Sequence, residues 1–203
     1  MERFTALETK AIALPQANID TDQLIPARFL KRPRSEGYGP FLLHDLRHDA
    51  NGAPRDNPLD QTGRAGAALL IARRNFGCGS SREAAVYALR DFGIRCVAAP
   101  SFGDIFASNA VKNGLLPATI SETDVEALLT SQALAGDGEV RVDLLAQTIA
   151  AGNWVSSFAI DPVCKIQLLN GWDDIDLTLT ETVHVDRFRA EDAAARPWAT
   201  PRL

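Results

Sequence analysis

The sequence predicts an α/β fold built on a mostly parallel, mixed central sheet with a late β-hairpin. Three observations carry that expectation. Two short runs, Ala67–Ala72 and Cys96–Ala99, are apolar at every position, as strands buried on both faces of a parallel sheet are. Each is followed by a segment of helical spacing, Arg82–Phe92 and Asp104–Asn113, the alternation of layered α/β proteins. Further on, Glu139–Leu145 and Asn153–Ile160 alternate in character and flank Gly152 as a hairpin.

Taken in order, Phe4–Leu14 mixes Thr, Ile and Leu with polar residues and ends at Pro15, which predicts one first strand. Asn18-Ile19-Asp20-Thr21-Asp22 is a dense cluster of turn formers and carboxylates. Leu24–Leu30 leads into the basic stretch Lys31-Arg32-Pro33-Arg34, and a short helix is expected from Phe41 to Leu46. Residues 49–66, rich in Asp, Asn, Gly and Pro without periodicity, read as an exposed loop. After the first buried strand, Asn75–Ser81 is a glycine-rich loop. Ala85, Ala88, Leu89 and Phe92 then fall on one helical face, and Gly93 stops that helix. Gly114 ends the next helix, and Leu115–Pro117 opens another extended segment. Ser121 caps a helix read through Leu134, with Asp124 at its third position in a variant of the capping box. Asp161 caps a helix to Asn170, with Gly171 as its stop, and the charged, Ala-rich tail 180–203 reads as one peripheral helix.

A chain of 203 residues fits one domain, here taken as residues 1–203. A net charge of −5 argues against a nucleic-acid footprint, which would need clustered Lys and Arg. The longest apolar run, Ala65–Ala72, is far short of the roughly 18–20 residues that span a bilayer, so no membrane partner is expected. The first residues carry charges around short apolar stretches, with no signal-peptide core. Three widely spaced cysteines, 78, 96 and 164, suit a reducing, cytoplasmic compartment.

The sharpest candidate site is Gly77-Cys78-Gly79-Ser80-Ser81-Arg82-Glu83. It lies where a buried strand passes to a helix, so backbone N–H groups and the positive helix end would face an anion. Small residues allow close approach, and Arg82 can clamp a carboxylate with two parallel hydrogen bonds. The same residues also fit a plain glycine turn, with Ser80 or Ser81 as N-cap and Arg82 as surface charge. Arg82 stands where a dinucleotide fingerprint needs its third glycine, and no G-x-S-x-G elbow is present. His44 and His48 are one turn apart without a partner ligand in a known metal spacing, and read as surface groups, as does His184. Cys96 and Cys164 read as packing residues, and Cys78 alone lies near chemistry. Asp20–Asp22 fits an Asx turn as well as an active-site cluster, and Lys31, Arg32 and Arg34 fit either a solvated loop or cations that join Arg82 around an anion.

Asn18–Leu30, Asn75–Glu83, Ala99–Phe106, Asn113–Pro117, Phe158–Asp161, Leu169–Gly171 and Asp176–Leu179 together resemble the small-subunit family of bacterial 3-isopropylmalate dehydratases. That family corresponds to the swivelling domain of aconitase, so the resemblance implies a three-layer α/β swivelling-domain fold. It further implies a hydro-lyase of leucine biosynthesis that interconverts 2- and 3-isopropylmalate through a dehydrated intermediate. In the family a separate large subunit carries the 4Fe–4S cluster, so no cofactor and no metal ligand is expected in this chain, and the partners are the large subunit and a small dicarboxylate. By the family's pattern Ser80 matches the catalytic base. Ser81 and Arg82 match substrate-binding positions. Leu30 and Lys31 match the segment that reads the substrate's side group. Asp22, Thr21, Gly79 and Cys78 match supporting positions. Where the family usually has His after Ser-Ser-Arg-Glu, this chain has Ala84. The departure raises a paralogue acting on citraconate or a substituted malate as the alternative. A non-catalytic carboxylate-binding module and a serine hydrolase are more distant readings.

Overall fold

The first apolar stretch of the chain serves two sheets. In the computed structural model, which describes residues 1–131 and 138–199, Ala6–Thr9 (β1) alternates in burial and joins an antiparallel sheet, whereas Ala11–Leu14 (β2) is largely buried and joins a parallel one. The expected single strand Phe4–Leu14 is therefore corrected to two. The break falls at Lys10, next to Thr9, whose hydroxyl accepts the Ala68 N–H at 2.9 Å.

The parallel sheet has the order β2–β3–β4–β5, with Leu69–Ala72 (β3), Cys96–Ala99 (β4) and Leu116–Thr119 (β5). Glu83–Phe92 (α3) and Asp104–Lys112 (α4) supply the crossovers that parallel pairing requires. Thr21–Leu24 (α1) and His44–Arg47 (α2) precede them. Because strand side chains alternate, Leu70 and Ala72 pack toward α3 and α4, while Leu69 and Ile71 pack the other way. On that second side lie Glu122–Leu129 (α5) and the antiparallel sheet β1–β6–β7–β8. The result is three layers with a core on each side of the parallel sheet.

The strands read as one mixed sheet thus divide between two four-stranded sheets among the described residues. Val140–Asp143 (β6), Thr148–Ala151 (β7) and Trp154–Ser157 (β8) form a meander, so the expected hairpin has an additional strand. Gly152, at φ +60°, does make the second turn. The first turn contains neither Gly nor Pro. Gln147 takes a left-handed φ of 55° and the Asp143 carboxylate accepts the Ala146 N–H at 2.9 Å, which hides the turn from composition.

Helix ends follow local capping. Ser121 accepts from Asp124 N–H at the start of α5, which stops at Leu129. Part of the reading through Leu134 lies outside the described residues. Asp161 accepts from the N–H groups of Val163 and Cys164 at the start of Pro162–Asn170 (α6), and Gly171 at φ +71° closes it. The tail forms Asp174–Leu179 (α7) and Thr182–Ala195 (α8), neither with a buried side chain. No helix of the described residues is long and apolar enough to cross a membrane.

Residues 49–66 are tied to the rest of the chain at several points, among them Arg55 N–H to the Arg47 carbonyl at 2.8 Å and Lys10 Nζ to the Gly63 carbonyl at 3.0 Å. Leu59 and Asn57 are buried, and Arg47 grips Asp60 through two hydrogen bonds of 2.8 and 2.6 Å. The Arg47 guanidinium holds the Asp60 carboxyl below its ordinary value. A depressed carboxyl stabilises the fold above the unfolded pKa, and that contribution is lost as pH falls through the folded one. Proteolysis within 49–66 is therefore expected to rise in acid as Asp60 protonates, and to be elevated at neutral pH in Asp60→Asn. Limited digestion of both proteins across pH checks this.

Candidate active site

The loops leaving the carboxyl ends of β2, β3 and β4 are paired to one another, and the candidate site grows from that pairing. The loop after β2 becomes α1, whose N-cap Asp20 accepts the Gln23 N–H at 2.7 Å while Gln23 Oε1 accepts the Asp20 N–H at 3.0 Å. The loop after β3 runs alongside it. Gly77 N–H donates to the Ile19 carbonyl at 2.7 Å and Thr21 N–H to the Cys78 carbonyl at 2.9 Å. Thr21 is buried, and its hydroxyl donates to the Ser80 carbonyl at 2.7 Å. The loop after β4 closes the third side, with Phe76 N–H donating to Ser101 O at 3.0 Å and Gly103 N–H to Phe76 O at 2.9 Å.

Glycine is required where these strands of loop meet. Gly77 is at φ +70°, and a Cβ there would lie 2.2 Å from the Phe106 ring. A Cβ on Gly103 would lie 2.5 Å from the Gly77 carbonyl oxygen. Phe76, Phe102 and Phe106 pack as an aromatic wedge beneath the loop, with Phe76 edge-on to Phe106 at 5.3 Å between centroids. Above the wedge is a shallow cleft of about 180 Å³ lined by Gly77, Gly79, Ser80 and the start of α4 from Gly103 to Phe106. Larger grooves, about 490 Å³ between α4 and α6 and about 600 Å³ beside His44 and His48, are not lined by this glycine backbone.

Ser80 and Ser81 are exposed and neither caps α3. The N-cap is Arg82 itself, with no side-chain capping bond, which corrects the reading of the serines as capping groups. Among the described residues, no backbone carbonyl accepts from the N–H groups of Ser80, Ser81 or Arg82. Unpaired donors beside a helix N-terminus suit an anion. Arg82 is half-buried and ion-paired with the more exposed Asp22. Its Nη1 is buried against Asp22 Oδ1.

The structure brings Asp20, Thr21, Asp22, Cys78, Gly79, Ser80 and Arg82 together and leaves Leu30 and Lys31 outside the cleft. These two sit on a 3-10 turn, Ala27–Lys31, where Leu30 packs on the core and Lys31 is exposed. Arg34 is committed elsewhere, with two hydrogen bonds of 2.6 and 2.9 Å to Asp91, and Arg32 pairs with Glu36 at 3.4 Å. Neither is presented with Arg82, against the expectation of a shared cation cluster. Ala84 is half-buried against the core. His44 and His48 stack on each other at 4.4 Å next to the Arg28–Asp45 pair, apart from the cleft, so no histidine lines it as a serine-hydrolase reading needs. His184 lies on the exposed face of α8. Cys96 is fully buried in β4, and burial pushes its thiol far above the usual range. Burial also raises the Cys164 thiol, helped by Asp161. No group of three or more His, Cys, Asp or Glu among the described residues is placed to hold a metal, so these three cysteines do not fit a cluster.

Sequence reasoning missed Gly103, Phe106, Asn75 and Asn18 as parts of this assembly. The available signal was the Asn18 and Asn75 pair, a residue type enriched at left-handed turns.

Comparison with known proteins identifies the family. Residues 1–123 match the family model described as the aconitase C-terminal domain. The 3-isopropylmalate dehydratase small subunit of Rhodospirillum centenum is 47% identical over 201 residues, covering 98% of this chain and 99% of that protein. The protein of the same name from Dinoroseobacter shibae is 45% identical over 98% of this chain and 100% of its own, and that of Anoxybacillus flavithermus 47% over 88% and 92%. A crystal structure of 3-isopropylmalate dehydratase from Methanocaldococcus jannaschii shares the fold, with a TM-score of 0.64 at 23% identity over 90% of this chain and 99% of that one.

Two glycine substitutions separate backbone strain from crowding. Gly52 is at φ +80° in open space, so Gly52→Ala is expected to cost about 1 kcal/mol. Gly77→Ala meets the same strain and the Phe106 ring, and is expected to cost about 2–5 kcal/mol. Denaturant unfolding of the two variants measures the difference.

Proposed function

The chain belongs to the family of 3-isopropylmalate dehydratase small subunits, and we propose that it works as that subunit, interconverting 2- and 3-isopropylmalate in leucine biosynthesis within a complex with the large subunit. In this reading residues 1–203 act as one swivelling domain in the cytoplasm. No relative favours the citraconate or substituted-malate alternative, nor the carboxylate-binding module. The observation that carries the reading is the single loop that holds an exposed Ser80 beside unpaired N–H groups and a half-buried Arg82, locked by Thr21 and Asp22.

The reaction removes a proton from a carbon next to a carboxylate and a hydroxyl from the neighbouring carbon. Both are difficult, since the proton is weakly acidic and hydroxide leaves poorly. The 4Fe–4S cluster assigned to the large subunit supplies Lewis acidity toward the hydroxyl. This chain supplies the rest. Ser80 Oγ takes the proton, and an alkoxide there is stabilised by the positive end of α3 and by Arg82. Charge that develops on the substrate carboxylate meets the free N–H groups and the Arg82 guanidinium, which are fixed before substrate arrives. Ser81 holds a carboxylate oxygen. Asp22 keeps Arg82 in place until the substrate carboxylate takes over. Leu30 and Lys31 face the substrate's side group in the assembled enzyme.

In a complex reconstituted with the large subunit, Ser80→Ala is expected to lower kcat by about 10²–10⁴-fold with little change in KM. Ser81→Ala is expected to raise KM more than it lowers kcat. Arg82→Lys keeps the charge and loses the paired donors, so kcat and affinity both fall while the protein stays folded. Normal kcat in a folded, assembled Ser80→Ala complex would sink the mechanism. Steady-state kinetics on the three complexes, with the chain alone as an inactive control, decides the matter.

A further inference from the structure

Asn18 and Asn75 have no part in the chemistry above, yet both are held in backbone conformations that side chains rarely adopt. Asn18 is at φ 57° and Asn75 at φ 61°. Most residues with a Cβ avoid this conformation, and Asn is among the few that enter it readily. Here the two amides meet. Asn75 Nδ2 donates to Asn18 Oδ1 at 2.9 Å. Backbone bonds flank the contact, with Asn18 N–H donating to Arg74 O at 2.9 Å and Asn75 N–H to Ser101 Oγ at 2.8 Å.

This clasp lies beyond the carboxyl ends of β2 and β3, one step after Arg73 N–H donates to the Gln16 carbonyl at 3.1 Å. From there the pairing proceeds one rung at a time. Gly77 bonds to Ile19, Thr21 to Cys78, and the Thr21 hydroxyl to the Ser80 carbonyl. The clasp is thus one side-chain rung in the same ladder that ends at Ser80.

We propose that Asn18 and Asn75 are positioning residues for the dehydratase. Their amide–amide hydrogen bond holds the Asp20–Asp22 and Gly77–Arg82 segments in the register that sets the Ser80 hydroxyl beside Arg82. The proposal rests on the assignment of Ser80 and Arg82 to the site.

Direction of the bond provides the test. Asn18→Asp keeps the acceptor and Asn75→Asp replaces the donor with an oxygen facing an oxygen. Both retain tolerance for positive φ. In the reconstituted complex Asn75→Asp is expected to lose about 10–100-fold in kcat, the scale of a small misplacement of reacting groups, with KM changed much less. Asn18→Asp, as the conservative variant, is expected to retain kcat within a few-fold. Asn75→Gly keeps the backbone without the amide and should match Asn75→Asp if the latter assembles poorly. Equal losses in Asn18→Asp and Asn75→Asp, or full kcat in Asn75→Asp and Asn75→Gly, overturn the proposal. A loss confined to melting temperature, with kcat per assembled complex unchanged, also overturns it. Ser80→Ala run alongside separates the two readings. Full activity there removes the assignment of Ser80, whereas an inactive Ser80→Ala beside a fully active Asn75→Asp removes only the clasp.

Discussion

The arrangement depends on the pairing of two loop segments, residues 19–21 and 77–80, across the carboxyl ends of parallel strands. Three hydrogen bonds of 2.7–2.9 Å make it, and the last, from the buried Thr21 hydroxyl, ends on the carbonyl of Ser80. The pairing exists only because position 77 lacks a side chain, since a Cβ there would enter the Phe106 ring. Everything chemical in the chain is arranged by that contact. Ser80 is lifted into solvent, Arg82 is turned to meet Asp22, and the N–H groups between them stay free.

The parallel sheet explains why so few bonds suffice. β3 and β4 are buried on both faces, and α3 and α4 close one of the two cores. The loops thus extend from a rigid base, and their entropy cost is met largely by burial beneath them. What the base lacks is cover. The Ser80 cleft holds only about 180 Å³, and among the described residues no backbone carbonyl accepts from the N–H groups of Ser80, Ser81 or Arg82. The relatives described above are named as small subunits.

Much of this was legible in the sequence. Ala67–Ala72 and Cys96–Ala99 declare buried strands because no polar residue interrupts them, and Asp161 and Ser121 mark helix starts through side-chain caps that a reader can recognise. The glycine-rich loop was identifiable from Gly77 to Arg82. The failures have local causes. Phe4–Leu14 looks like one strand because the break at Lys10 leaves no Gly or Pro behind. β7 was hidden because Gln147 supplies the left-handed turn. Ser80 and Ser81 also fitted caps because both stand just before the helix, and residue type does not reveal that Arg82 is the N-cap instead. Arg34 looked available until Asp91, far along the chain, claimed it.

Hydrogen exchange of the isolated chain tests the central claim most directly. If the loop pairing is preformed, the Gly77 and Thr21 amides should be protected like those of β3, while Ser80, Ser81 and Arg82 exchange at rates near those of an open chain. Assembly with the large subunit in the presence of substrate should then slow the second set and leave the first unchanged. Rapid exchange at Gly77 and Thr21 in the isolated chain would contradict the account, because the site would then be built by the partner and not by this fold.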